Sequence, residues 1–153
     1  MKTLSYLKTF LLAVIVVFAF SSCNNDDDGN VGSGTVKITV DGKSYNFKNV
    51  TAASALGLIT IEGETEDGKI SLLLMMTSTI EAGEYEFNTQ GSNLTALYTE
   101  NEEGYFPETG TIKITSHSGR KIKGTFNFSG HSMNGQTVEI TNGSFDVKYD
   151  EAK

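Results

Sequence analysis

Val36-Lys37-Ile38-Thr39-Val40-Asp41-Gly42-Lys43-Ser44-Tyr45-Asn46-Phe47 sets apolar side chains at alternate positions on both sides of an Asp-Gly pair. Successive side chains of a strand point to opposite faces, so a period of two marks a half-buried strand; a helix repeats every 3.6 residues. Asp-Gly accepts the left-handed backbone of a two-residue hairpin turn. The stretch therefore reads as a β-hairpin, with Val36, Ile38 and Val40 on the buried face and Tyr45 and Phe47 on the return.

The same rhythm runs through the chain. Leu58 to Glu62 predicts a third strand, closed by a turn around Asp67-Gly68. Ile70, Leu72, Leu74 and Met76 form one face of a fourth. Leu73 and Met75 make its other face apolar too, which predicts a central strand covered on both sides. Gly83 precedes a strand through Tyr85 and Phe87, and Leu94 to Thr99 makes another, with Ala96 and Tyr98 facing one way. Tyr98 to Glu108 holds Glu100, Glu102, Glu103, Gly104 and the sole proline, Pro107, and reads as the longest irregular connection. Beyond it Ile112 and Ile114 alternate, then Ile122, Gly124, Phe126 and Phe128. Gly124 in that row lets an aromatic ring or another backbone approach closely.

Asn134-Gly135 is a turn signal before Val138 and Ile140. These two are even-numbered, whereas Phe145, Val147 and Tyr149 are odd, so one extra residue must be absorbed near Asn142-Gly143. A bulge or a tight hairpin would do this. The hairpin would set Glu139 across from Asp146, two like charges, which favours the bulge. No stretch after Thr35 has helical amphipathicity. The reading is all-β: an antiparallel β-sandwich or a closed β-barrel of about 8–10 strands, between which alternation does not choose.

A chain of 153 residues suits one such domain, and 38% hydrophobic with 20% charged residues lies in the globular range. The formal net charge is −7. Such acidity repels phosphate backbones, and the sequence has no basic cluster beyond Arg120-Lys121 and Lys123, so no nucleic-acid partner is expected. The single cysteine, Cys23, leaves the domain without a disulfide or a thiol nucleophile.

Cys23 ends a segment with the parts of a secretory signal. Lys2 and Lys8 give a positive start, Phe10 to Phe20 an apolar run, and Ser21-Ser22 small residues before a cut. Eleven apolar residues reach about 16 Å as a helix, short of a hydrocarbon core of about 30 Å. Phe20-Ser21-Ser22-Cys23 resembles a lipobox, after which signal peptidase II cuts, here between Ser22 and Cys23. Phe20 and Ser22 stand where Leu and Gly or Ala are usual. The resemblance implies a diacylglycerol on the Cys23 thiol and a further acyl chain, such as palmitate, on its freed amine. Two or three chains anchor stably where one does not. Cutting there removes Lys2 and Lys8 and no acid, so ten basic side chains face nineteen acidic ones, a charge of −9.

Asn24-Asn25-Asp26-Asp27-Asp28-Gly29-Asn30 is too polar to join a core and, with Gly32-Ser33-Gly34, reads as a tether. The acidic run after the cysteine resembles the export signal of surface lipoproteins in Bacteroidota, which implies the outer membrane and the cell surface. Three regions follow: a signal peptide over 1–22, an acylated cysteine and tether over 23–34, and one β domain over 35–153. With Ile122-Lys-Gly-Thr-Phe-Asn-Phe-Ser129 and Ile140-Thr-Asn-Gly-Ser-Phe-Asp-Val147, the whole chain resembles a family of small Bacteroidota lipoproteins of unknown function. That resemblance implies an outer-membrane β domain and supplies no catalytic residues.

Candidate chemistry is sparse. Glu62-Gly-Glu64-Thr-Glu66-Asp67-Gly68 is similar to a calcium loop, but its glycine falls one place late and Leu73 stands where a closing acid belongs. Acids lining a solvated hairpin explain it better, and no metal or other cofactor is expected. Glu100, Glu102, Glu103 and Glu108 share a segment without the rigid spacing that paired-carboxylate hydrolysis requires. His117 and His131 lie in turn-like segments with no motif tying them to a nucleophile. Tyr105-Phe106-Pro107 is the preferred ligand contact, because a loop tip offers little to bury its rings. Two functional expectations follow. One is a non-enzymatic surface module that binds glycan, protein or a partner lipoprotein; the other is a lipocalin-like carrier of a small apolar ligand.

Overall fold

The computed structural model describes residues 33–87 and 94–151. The segment expected to be a signal peptide, Cys23 and the residues up to Gly32 lie outside them. Every regular element among the described residues is a strand: β1 Gly34–Val40, β2 Lys43–Asn46, β3 Asn49–Ala55, β4 Leu58–Glu64, β5 Ile70–Thr77, β6 Gly83–Glu86, β7 Leu94–Glu100, β8 Glu103–Ser118, β9 Lys121–Ser132, β10 Thr137–Lys148 and β11 Asp150–Glu151. They form one sheet in the order β11-β3-β4-β5-β7-β8-β9-β10-β1-β2, with β6 paired to β8.

The path of this sheet curls into a half-barrel. Only Phe47 and Lys48 separate β2, at one end of the path, from β3 near the other. Phe47 N–H donates to the Val36 carbonyl at 3.0 Å, and Lys48 N–H to that of Glu64 at 3.3 Å, so this link joins both ends of the path. β11 continues β10 beyond Tyr149 and pairs in parallel with β3, while β10 itself pairs with β1. One curled sheet is therefore adopted, not two stacked ones.

The alternation read from the sequence places the core. Val36, Ile38, Ile59, Ile61, Leu72, Leu74, Met76, Ile112, Ile114, Ile122 and Ile140 are all buried. Full burial of such a side chain contributes roughly 1.5–3 kcal/mol. β5 is central as expected, between β4 and β7, but its second face is only half covered: Leu73 and Met75 are partly exposed.

Two segments differ from the expectation. β3 has few large apolar residues, and it forms because β4 and β11 supply hydrogen bonds on both sides. Its turn into β4 is Leu56-Gly57, with φ of 52° and 81°, a left-handed pair that the leucine disguises. The supposed loop from Tyr98 to Glu108 is a hairpin turning on Asn101-Glu102, at φ 49° and 71°, with Glu100 paired to Glu103 and Tyr98 to Tyr105. Pro107 lies inside β8, past the last β7 pair and before β6 takes over at Thr111, where no neighbour needs its missing N–H.

The phase change in β10 is a bulge. Ile140 pairs with Phe128 and Gly143 with Phe126, and Asn142 absorbs the extra residue at φ 48°. Glu139 thereby faces Ser129, and Asp146 faces Lys123.

Candidate functional site

The two ends of the half-barrel differ in chemistry. At one, the chain joins the sheet: Lys148 N–H donates to the Ser33 carbonyl and Tyr149 N–H to that of Arg120, both at 2.9 Å. The Leu56-Gly57 turn lies at this end, because β11 runs alongside β3 toward it and Ser78 N–H donates to Gly57 at 2.8 Å. At the other end, Asp41 N–H donates to Glu139 at 3.1 Å, and Asn101 N–H to Lys69 at 2.9 Å. The Asn134 amide reaches both Glu103 carboxylate oxygens at 3.0 Å. Four hairpin turns meet there.

That second end, the Tyr98 end, holds a tyrosine pair. The rings of Tyr98 and Tyr105 lie 5.8 Å apart. Tyr105 donates its hydroxyl to Gln136 Oε1 at 3.1 Å. The Tyr98 hydroxyl is buried and has no hydrogen-bond partner among the described residues. Burial, then the charge of Glu100, pushes the Tyr98 ionisation far above its ordinary range. Burial and then Glu103 do the same, less strongly, for Tyr105.

The expected contact pair is thus divided by the sheet. Tyr105 points inward and is buried; Phe106, its neighbour on β8, points outward and is 40% exposed. Phe106 stands in register with His131 on β9, whose Nδ1 is 4.0 Å from a Glu108 carboxylate oxygen. Met133, 78% exposed, begins the next turn. Phe106, His131 and Glu108 form an outer patch, and Met133 is exposed two residues beyond His131. Its aromatic was visible in the sequence, but its histidine was not, because pairing between β8 and β9 had to be known first.

Both histidines lie in strands, not in the turns expected of them. His117 faces inward near the Ser33 end, where Nδ1–H donates to the Ile80 carbonyl at 2.7 Å. Nε2 lies 2.9 Å from the Tyr149 hydroxyl, and in the neutral ring, with Nδ1 carrying the proton, it accepts from that hydroxyl. This histidine closes one end of the core.

The remaining acids are accounted for locally. Glu62 and Glu64 are exposed on β4. Asp67 accepts from Thr65 at 2.8 Å and from the Lys69 amide, which lowers its carboxyl below the ordinary value. No group of three or more His, Cys, Asp or Glu able to hold a metal occurs among the described residues. The shifts of Asp67, Asp146, Tyr98, Tyr105 and Tyr149 all deepen the charge state each group already has at neutral pH. None of those five is moved toward the range useful for proton transfer.

A protein-family model described as a domain of unknown function (DUF6252) matches residues 32–147. No curated protein and no solved structure matches the chain.

Proposed function

The chain belongs to the DUF6252 family of domains of unknown function, and on that premise we propose that it is a lipid-anchored surface lipoprotein acting as a non-enzymatic binding module. The anchor is Cys23, acylated after a cut at Ser22, and the membrane is the outer membrane of a Bacteroidota cell, with the domain exposed at the surface. The observation that carries the reading is where the chain joins the sheet. Ser33 and Gly34 lie at the end opposite the Asp41, Asn101 and Asn134 turns. A link tied to lipid at Cys23 presents those turns, and Phe106 and Met133 near them, away from the bilayer.

The chemistry of the Phe106 patch supports contact over catalysis. An exposed aromatic beside a polar pair stacks on a sugar face or fills a shallow apolar depression on a protein. The lipocalin-like alternative draws on one observation, the buried Tyr98 hydroxyl without a hydrogen-bond partner among the described residues, which a ligand inside the half-barrel would satisfy.

A photo-crosslinking residue separates these on living cells. Placed at Phe106 it is expected to capture a partner, while the same residue at Lys113, also exposed on β8, captures none. Equal labelling at both positions overturns the patch. A small molecule carried through purification and seen by native mass spectrometry supports the carrier instead.

A further inference from the structure

We propose that the Leu56-Gly57 turn, with the Arg120-Lys121 turn beside it, is the surface on which this domain rests against the bilayer holding Cys23; the inference rests on the lipid-anchor reading above. Leu56 is 102% exposed, touches none of the core, and sits at φ 52°, a backbone region that leucine disfavours. Leu58, two residues on, is 37% exposed. The Ser78 N–H holds the Gly57 carbonyl at 2.8 Å, so the turn is fixed from the side and its leucine is held out. Neither packing nor backbone preference accounts for a leucine there.

The topology says what lies next to it. Asp150 pairs with Ala53, three residues before Leu56, and Arg120 Nη1 is 3.8 Å from the Asp150 carboxylate. Arg120 also accepts the Tyr149 N–H, one residue after the Lys148 that holds Ser33. The arrival of the chain, the leucine turn and the Arg120-Lys121-Lys123 cluster therefore share one end. Ten residues separate Cys23 from Ser33, a covalent reach of at most about 36 Å, so an acylated Cys23 keeps this end of the domain close to lipid.

Charge is uneven between the ends. At the Tyr98 end Asp41, Glu100, Glu102 and Glu103 outnumber Lys43 and Lys69. At the Ser33 end Arg120, Lys121, Lys123 and Lys148 are balanced by Asp146, Asp150, Glu81 and Glu151, and three of these four cations pair with Asp146 or Asp150. Attraction to headgroup phosphates is therefore small, and the apolar turn supplies the main contact. A leucine at the acyl boundary with cationic side chains at headgroup level is the usual form of interfacial binding.

The test uses the full chain, processed and acylated in a bacterial host and reconstituted into phosphatidylethanolamine–phosphatidylglycerol vesicles. With Cys23 acylated, Ala55→Cys supplies the sole free thiol, for an environment-sensitive fluorophore beside an intact Leu56. The expected result is a blue shift and quenching by lipid-borne spin labels at position 55, with neither at Met133→Cys. Adding Leu56→Ser reduces the quenching at 55 while the protein still floats with the vesicles. Quenching at 55 no stronger than at 133, in protein that floats, overturns the docking surface and leaves the anchor standing. Protein that lacks the lipid and sinks overturns the anchor, and the docking surface with it.

Discussion

Phe145 on β10 stands across from Gly124 on β9, and its ring occupies the space a side chain at 124 would take. A Cβ built there would come within 2.6 Å of Phe145 Cζ and of the Lys113 carbonyl oxygen. The arrangement is reciprocal, since a Cβ at Gly143 would lie 2.6 Å from the Phe126 ring, and the two phenylalanine rings are 6.3 Å apart. Gly124→Ala is expected to lower stability by about 1–3 kcal/mol through overpacking. Gly104→Ala, whose Cβ would meet only the mobile tip of Leu97 at 3.3 Å, is expected to be much milder. Urea midpoints at unchanged slope measure the difference.

His117 joins two elements distant in sequence, the Ile80 connection and the last residues of the barrel. His117→Leu leaves the Ile80 carbonyl and the Tyr149 hydroxyl without their ring partners, a loss of about 1–3 kcal/mol. Tyr149→Phe removes one bond and leaves the other, so its effect is expected to be the smaller of the two. Chemical denaturation of both variants decides the order.

Lys123 Nζ lies 2.7 Å and Lys121 Nζ 3.3 Å from the Asp146 carboxylate. Their hydrogen bonds, that of Lys123 first, hold the carboxyl below the ordinary 3.8. A carboxyl lowered by folding adds stability that is complete above the ordinary value and drains away as pH falls through the lowered one. The pair is exposed, so its contribution is a few tenths to about 1 kcal/mol. Lys123→Met is expected to lose that increment near pH 7, and the two proteins are expected to converge as pH falls through the lowered Asp146 value.

Tyr98→Phe removes a buried hydroxyl that has no partner among the described residues. Deleting an unsatisfied polar atom at constant shape is neutral or stabilising by up to about 1 kcal/mol. A melting temperature equal to or above that of the unaltered chain is expected. A clear fall reveals a partner for the phenol, the neighbouring Glu100 carboxylate or a bound ligand.

Most of the fold was legible because one side of the sheet is apolar and the other polar. The Val36–Phe47 hairpin, the β5 row and the β10 bulge each follow from the parity of a few large side chains. Asn49–Ala55 escaped because its small residues carry no rhythm, and its strand exists only through its neighbours. The β7–β8 hairpin escaped because Asn101-Glu102 turns the chain without a glycine, amid acids that read as a solvated loop. Of the candidate site, Phe106 was visible as an aromatic. That Tyr105 turns inward while Phe106 joins His131 depends on strand pairing, which no local pattern encodes.

Lipid at Cys23 underlies both the surface module and its docking face, and the intact mass of the protein extracted from membranes tests it directly. The expected species is residues 23–153 carrying a thioether-linked diacylglycerol and an amide-linked acyl chain, and Cys23→Ser yields no such species and leaves the membrane fraction. A membrane-associated protein whose mass equals the bare polypeptide, or a Cys23→Ser variant that stays with the membrane, contradicts the account.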